Sequence, residues 1–180
     1  MPSISSMIRC LTDVGDEILI QSPVYHVFYY VIEDNNRKVL ENELIYENGE
    51  YRIDFDDLDE KLSKVGMMIL CNPHNPVGKI WSREELTKVS ELCKKHDVIL
   101  ISDEIHCDLD YNKDRYVSPL AVTDYSKLLT FLSPGKTFNL AGLHSSIMVI
   151  KDKDLKEKIQ KGVYEDDVGE PNYFSIAPVI

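Results

Sequence analysis

Three polar clusters in the sequence bring together side chains that can do chemistry on a small molecule. Each cluster directly follows a short apolar run of the kind that forms a buried strand. Ligands of open parallel sheets bind beyond the carboxyl ends of the strands, so clusters on adjacent strands share one crevice. An amide, a carboxylate, an imidazole and a lysine amine suit a phosphorylated pyridine aldehyde, because the amine forms an imine and the carboxylate keeps the ring nitrogen protonated. The clusters are Asn72-Pro73-His74-Asn75-Pro76-Val77-Gly78-Lys79, Asp103-Glu104-Ile105-His106 and Ser133-Pro134-Gly135-Lys136-Thr137-Phe138-Asn139.

Hydrophobic patterning predicts the elements that position these clusters. Five short apolar runs predict strands that are covered on both faces of a sheet. Amphipathic stretches between them predict helices, one of which begins after Ser82 with a capping box to Glu85. Strands that alternate with helices are typical of an α/β fold with a mainly parallel sheet. The predicted strands cover residues 17–21, 67–71, 98–102, 128–132 and 146–150, and the predicted helices 3–12, 55–64, 83–95 and 152–162.

The composition favours a soluble globular protein. The chain has 180 residues, 43% of them apolar, and a net charge of −11. This acidic balance argues against nucleic acid and anionic membranes as partners, because both select for basic surfaces. No apolar run has the length of a membrane span, and we see no signal-peptide pattern at the N-terminus. The cysteines form no CxxC pair, which fits a reducing, cytoplasmic compartment; they are Cys10, Cys71, Cys93 and Cys107.

Three motifs follow one another along the chain: His74-Asn75-Pro76-Val77-Gly78-Lys79-Ile80-Trp81, Ser102-Asp103-Glu104-Ile105-His106 and Lys136-Thr137-Phe138-Asn139-Leu140-Ala141-Gly142-Leu143. In this order they resemble fold-type I pyridoxal 5′-phosphate (PLP) enzymes of the class I/II aminotransferase family. The resemblance runs from residue 3 to residue 180 and is strongest to the C–S lyase branch, typified by cystathionine β-lyases. It implies an α/β three-layer large domain, with a mixed, mostly parallel sheet and helices on both faces.

The resemblance also implies that residues 1–180 are a partial PLP-binding large domain. The family's N-terminal segment and C-terminal small domain are expected to lie outside this sequence. The arginine that grips the substrate α-carboxylate is then expected beyond residue 180. The glycine-containing turn that starts the phosphate-binding helix is expected ahead of Ser3, and without it we expect weaker cofactor affinity.

Five residues take cofactor roles by resemblance. Lys136 resembles the Schiff-base lysine that also moves the α-proton. Asp103 resembles the carboxylate that pairs with the pyridinium nitrogen, and Asn75 resembles the amide that donates to the 3-oxygen. His106 stands where many aminotransferases carry a tyrosine that reaches the same oxygen, and Tyr25 resembles the aromatic residue that stacks on the ring.

Two further residues are implied at the phosphate. Ser133, three residues before Lys136, matches the family's phosphate-contacting serine. His144, eight residues after Lys136, stands where aminotransferases often carry an arginine. Gly135 departs from the pattern, because close relatives usually have serine or threonine there.

The implied reaction is α,β-elimination from cystathionine or cysteine-type amino acids, which gives a thiol, pyruvate and ammonia. Aminotransfer is the alternative reaction. A truncated PLP-binding remnant without turnover is the alternative outside catalysis, and sequence alone does not separate it from a working lyase. The family's site forms at a dimer interface, which implies a homodimer.

Each site residue also has a plain structural explanation. A lone lysine is usually solvated, an aspartate at a strand end is often a helix N-cap, and Asn-Pro is an ordinary turn signal. A histidine or a tyrosine is often part of the core. A phosphate-binding P-loop at Gly135-Lys136-Thr137 needs a glycine where Thr130 stands. A zinc site is disfavoured because its four candidates fit no familiar spacing; they are Cys71, His74, His106 and Cys107.

Overall fold

A six-stranded sheet forms the centre of the computed structural model, which describes residues 1–112 and 115–170. The strand order is β2-β1-β5-β6-β7-β8. All neighbours are parallel except β7 and β8, which are antiparallel, so the sheet is mixed and mostly parallel. The strands are β1 (Glu17–Ser22), β2 (Lys38–Glu43), β5 (Met67–Cys71), β6 (Ile99–Asp103), β7 (Leu128–Leu132) and β8 (Ile147–Ile150); β3 (Ile45–Glu47) and β4 (Glu50–Arg52) form a separate hairpin.

Helices cover both faces of the sheet and make a three-layer α/β fold. Alternate residues of each central strand enter different cores, as the period of two requires. In β1, Ile18 and Ile20 pack towards α1, α2 and α5, whereas Leu19 packs towards α3 and α4. The helices are α1 (Pro2–Leu11), α2 (Val27–Glu33), α3 (Phe55–Leu62), α4 (Arg83–Lys95) and α5 (Lys153–Glu165).

Side-chain caps define where three helices begin. Ser82 accepts a hydrogen bond from the Glu85 N–H at 3.2 Å, and Glu85 accepts one from the Ser82 N–H at 2.7 Å. This is the capping box that the sequence predicts, and it satisfies two backbone donors that the helix leaves free. Asp54 and Asp152 cap α3 and α5 by accepting hydrogen bonds from the Asp57 and Leu155 N–H groups.

The five predicted strands and four predicted helices are all present, with ends that differ by at most three residues. One shift bears on the site, because Asp103 is the last residue of β6 and does not follow that strand. The sequence reading missed α2, the edge strand β2 and the β3–β4 hairpin. The terminal residues 175–180 lie outside the described part. Among the described helices, none has the length and apolar character needed to cross a membrane.

Candidate active site

The carboxyl ends of three adjacent strands bring the polar clusters together. Cys71 of β5 lies opposite Asp103 of β6, and Asp103 lies opposite Phe131 of β7. The expected adjacency of these strands is therefore confirmed. Because the ends are in register, the loops that carry Asn75 and Lys136 leave the sheet on either side of Asp103.

A cavity of about 390 Å³ lies at this edge of the sheet. All the residues that the sequence singles out as a site line it. Apolar side chains of α1, β7 and the following loop complete its walls. The predicted site residues that line it are Tyr25, Asn75, Asp103, His106, Ser133, Lys136 and His144, and the apolar ones include Ile4, Phe131, Leu140 and Ala141.

Asp103 places a buried carboxylate in this cavity. Its side chain is only 8% exposed, and its Oδ1 accepts a hydrogen bond from the Ile105 N–H at 3.2 Å. Burial raises the pKa of Asp103, and the positive charge of Lys136 acts against that shift. A carboxylate with so little solvent favours a cationic partner in the cavity.

Lys136 extends from an exposed turn after β7. The Phe138 N–H donates to the Pro134 carbonyl at 3.0 Å, and the Leu140 N–H donates to the Gly135 carbonyl at 2.9 Å, so the turn is held by its own backbone. The side chain of Lys136 is solvent-exposed where it lines the cavity. An amine in this position has access to both water and a bound molecule.

His106 lies on the segment that follows β6. Burial lowers the pKa of His106, and the positive charge of Lys136 lowers it further. The imidazole is therefore neutral at neutral pH and offers one donor and one acceptor nitrogen.

Asn75 and Tyr25 lie on the loops after β5 and β1. The Asn75 N–H donates to the Cys71 Sγ at 3.4 Å, which leaves its side-chain amide for the cavity. The Tyr25 ring is half-buried and meets Phe28 edge to face, with centroids 5.8 Å apart. The two loops are joined because His74 Nε2 donates to the Pro23 carbonyl at 3.0 Å.

Ser133 and His144 flank Lys136 in sequence and line the same cavity. The Ser133 hydroxyl donates to the Ser145 carbonyl at 2.7 Å and accepts from the Gly135 N–H at 3.1 Å. A Cβ on Gly135 would lie 3.2 Å from the Ser133 Oγ, so the glycine allows this close turn. His144 has a left-handed backbone, with φ of 52°.

Sequence reasoning missed further polar residues of the site. Ser145 and Ser146 line the cavity, and the Ser145 Oγ is buried without a hydrogen-bond partner among the described residues. Both follow His144 directly, so the only sequence signal was their position after a predicted site residue. No cluster of three metal-binding side chains occurs within residues 1–112 and 115–170.

The chain is similar to proteins of one enzyme family. The model of the family described as aminotransferase class I and II matches residues 2–163. The cystathionine beta-lyase PatB of Bacillus subtilis is 39% identical over 98% of this chain. A PLP-bound crystal structure from Clostridium difficile 630 has a TM-score of 0.92, 40% identity and 97% coverage of this chain. Cystalysin of Treponema denticola, whose crystal structure contains PLP, has a TM-score of 0.90, 35% identity and 95% coverage.

These relatives are about twice as long as the chain. The match spans 47% of PatB, 46% of the Clostridium difficile protein and 44% of cystalysin. Residues 2–163, which the family model matches, include the whole sheet and the cavity residues named above.

Proposed function

Because the chain belongs to the aminotransferase class I and II family, we propose that its cavity binds PLP and that the protein is a C–S β-lyase. The substrates are cystathionine or cysteine-type amino acids, which lose a thiol by α,β-elimination. The observation that carries this proposal is the convergence of a lysine amine, a buried carboxylate and an amide on one cavity. Residues 1–180 are then the cofactor-binding large domain of the protein.

The residues of the cavity fit PLP. A volume of about 390 Å³ lies within the range of small-molecule sites. The buried carboxylate of Asp103 has one backbone donor and needs a cation, which a protonated ring nitrogen supplies. The unpartnered Ser145 hydroxyl offers a further polar contact in a cavity that is otherwise partly apolar.

Each side chain has a distinct task in this proposal. Asp103 holds the ring nitrogen in its protonated form, and Asn75 and His106 orient the ring at its 3-oxygen. Tyr25 covers the face of the ring. Ser133 and His144 contact the phosphate. PLP, when bound, supplies an aldehyde that captures amines and a ring that withdraws electrons from the substrate.

Lys136 moves the proton that starts the reaction. Its Nζ would hold the cofactor and, once free, would remove the substrate α-proton. A thiolate leaves the β-carbon, taking the electron pair of the C–S bond and then a proton. The overall elimination consumes one water and gives the thiol, pyruvate and ammonia. The exposed position of Lys136 leaves its side chain room to perform both tasks.

Similarity to a cystathionine β-lyase supports elimination over aminotransfer, which is the alternative within the family. The motifs around Asn75 and His106 also resemble the lyase branch.

We further propose that the protein is a cytoplasmic homodimer. Its four cysteines are free thiols, which suits a reducing compartment. Light scattering at defined protein concentrations tests the dimer.

Two measurements test the function. Titration of the purified chain with PLP is expected to give a saturable visible absorbance band, which fails to appear if the cavity does not bind the cofactor. One preparation of a full-length parent that contains this domain is then assayed for pyruvate release from cystathionine and for amino transfer to a 2-oxo acid, because neither rate is expected to be appreciable for residues 1–180 without the carboxylate-gripping arginine. We expect pyruvate release to be faster. Dominant amino transfer overturns the lyase assignment, and PLP binding without either rate indicates a non-catalytic module.

A further inference from the structure

A second buried carboxyl group adjoins Asp103 in sequence but serves a different part of the molecule. Glu104 is completely buried, yet it does not line the 390 Å³ cavity. Its backbone N–H donates to the Phe131 carbonyl at 2.9 Å, and its carbonyl accepts from the Cys107 N–H at 3.0 Å. These bonds hold the Glu104 backbone beside β7, and its side chain points away from the cavity.

The described hydrogen-bond partners of the Glu104 carboxylate are hydroxyl groups from three places in the chain. Oε1 accepts from the Ser118 hydroxyl at 3.1 Å and from the Thr130 hydroxyl at 3.0 Å. Oε2 accepts a short hydrogen bond from the Tyr116 hydroxyl. Burial raises the pKa of Glu104, and these hydroxyl donors oppose that shift. Each hydroxyl would be left without an acceptor if this buried carboxylate were removed.

These partners join the two ends of the segment that carries His106. The chain leaves the sheet at Glu104 and comes back beside it at Tyr116 and Ser118, so the Glu104 carboxylate links the two ends of the segment. Further out, the Asp110 carboxylate accepts backbone N–H groups of Arg115 and Tyr116, which shapes the tip of the segment but does not fasten it to the sheet. The fastening of the segment to β7 runs through Thr130 and Glu104, and Asn72, after β5, also holds the return by donating from its Nδ2 to the Val117 carbonyl at 3.0 Å.

A second cavity of about 460 Å³ depends on the same segment. Asn75 and His106 line both cavities and separate them. The outer wall of the second cavity consists of residues that lie between Glu104 and its partners on the return, including Leu109, Tyr111 and Arg115. A movement of this segment would therefore change the position of His106 in the first cavity and the shape of the second.

We propose that Glu104 is a positioning residue that clamps the His106-bearing segment to the sheet and so sets the imidazole relative to Asp103. The clamp itself is a property of the chain without cofactor. Its consequence for cofactor binding rests on the function proposed above. Asp103 and Glu104 thus divide two tasks between adjacent buried carboxyl groups.

The clamp is tested by amide hydrogen exchange on the cofactor-free chain. Glu104→Ala is expected to speed exchange in residues 105–112 by about 10- to 100-fold, because the buried Thr130 hydroxyl and the half-buried Tyr116 and Ser118 hydroxyls lose their acceptor. Glu104→Gln retains a carbonyl oxygen for Ser118 and Thr130, and is expected to restore part of the protection. Exchange in β1 stays unchanged. Glu33→Ala, at an exposed glutamate of α2, is the control and leaves residues 105–112 protected.

A spectroscopic readout separates positioning from general loosening of the fold. The histidine ring resonances report each imidazole by NMR, and Glu104→Ala is expected to shift that of His106 while the exposed His26 stays in place. If Glu104→Ala does not fold, Ser118→Ala and Tyr116→Phe each remove one donor and are expected to produce the same two changes on a smaller scale. Unchanged exchange in residues 105–112 and an unmoved His106 resonance in a folded variant overturn the proposal.

The cofactor consequence has its own readout. Glu104→Ala is expected to weaken PLP binding by about tenfold, and Glu104→Gln by less, because the variant loses only part of the clamp. Equal affinities for Glu104→Ala and the unaltered chain contradict the positioning role. If the unaltered chain binds no PLP, the function proposed above fails, while the exchange and NMR results still decide whether Glu104 is a clamp.

Discussion

The loops that follow β5 and β7 both reach the cavity, but they are held in different ways. The β5 loop is anchored by buried side chains, since Asn72, His74 and Trp81 are almost without exposed surface. The β7 loop is held mainly by its own backbone and exposes Lys136 and 64% of Phe138. The amide that would orient the cofactor thus lies on the packed loop, and the amine that would exchange and move protons lies on the open one.

This division has a chemical reason under the proposed function. A group that orients a ring works best when packing fixes its position. A lysine that binds the cofactor, releases it and then accepts a proton needs room to move and access to solvent. Mutations on the two loops should therefore test the contrast between the packed position of Asn75 and the open position of Lys136.

The largest effect is expected at Asp103, which ends the strand between β5 and β7 and so lies between the two loops. In a full-length parent that contains this domain, Asp103→Asn removes the charge that stabilises a protonated ring nitrogen, and we expect turnover of cystathionine to fall by about 10²-fold or more. Steady-state pyruvate release measures this, with the exposed Asp34→Asn as control. A near-normal rate would show that Asp103 only caps the backbone at Ile105.

The same substitution is expected to stabilise the cofactor-free fold. Burial raises the pKa of Asp103 above the ordinary value of an aspartate. The native state therefore carries a stability cost that grows as the pH rises from that ordinary value towards the raised pKa. Asp103→Asn removes it, so the melting temperature without PLP should rise. A lower melting temperature would contradict this account of the buried charge.

A histidine in each loop tests the difference in packing. His74→Ala removes a buried ring that packs on Trp81 and bonds to the Pro23 carbonyl, and should lower the free energy of unfolding by about 2–3 kcal/mol. His144→Asn, which keeps a residue type that tolerates the left-handed backbone, should change it by no more than about 0.5 kcal/mol. Urea unfolding measures both, and equal losses would remove the contrast between the loops.

One contribution to the pH dependence of stability should come from His74 in the packed loop. Burial lowers the pKa of His74 below the ordinary value of a histidine. Because the unfolded chain then binds more protons than the native state does, the native state has its full stability above the ordinary pKa of histidine. It loses stability as the pH falls below that pKa. His106, whose pKa burial also lowers, adds to the same slope. Urea unfolding at about pH 7.5 and about pH 5.5 should show a smaller difference in His74→Gln than in the unaltered chain.

A modest effect is expected at Ser133 in the open loop. Ser133→Ala removes the hydrogen bonds to the Ser145 carbonyl and from the Gly135 N–H, which should cost about 1 kcal/mol of stability. The PLP dissociation constant should rise by about tenfold or less, because the hydroxyl already serves the turn. A rise of several hundredfold would show that Ser133 is a main phosphate contact.

Much of the fold was predictable because the central strands are continuous apolar runs and α4 begins with a capping box. The missed elements lack such signals. Strand β2 is Lys38–Glu43, a half-polar edge strand whose pairing with β1 decides its conformation. Helix α2 is rich in aromatic and β-branched residues, so tertiary packing outweighs local propensity there.

The site was predictable where its residues belong to sequence motifs at the ends of strands. All seven of the predicted residues line one cavity, and their roles toward PLP stay predictions. Ser145 and the clamp at Glu104 were not predictable, because each depends on contacts between segments distant in sequence. Nothing in the run from Asp103 to His106 distinguishes the carboxyl group that faces the cavity from the one that faces Tyr116 and Thr130.

The proposed function requires that the amine of Lys136, on the open loop, binds the cofactor. The most direct test is to add PLP to the chain, reduce the adduct with borohydride and map the labelled peptide by mass spectrometry. The label is expected on Lys136, and Lys136→Ala should lose both the label and the visible band while Lys79→Ala, on the packed loop, retains both. A label on Lys79 or on any other lysine of the unaltered chain would contradict the assignment of Lys136.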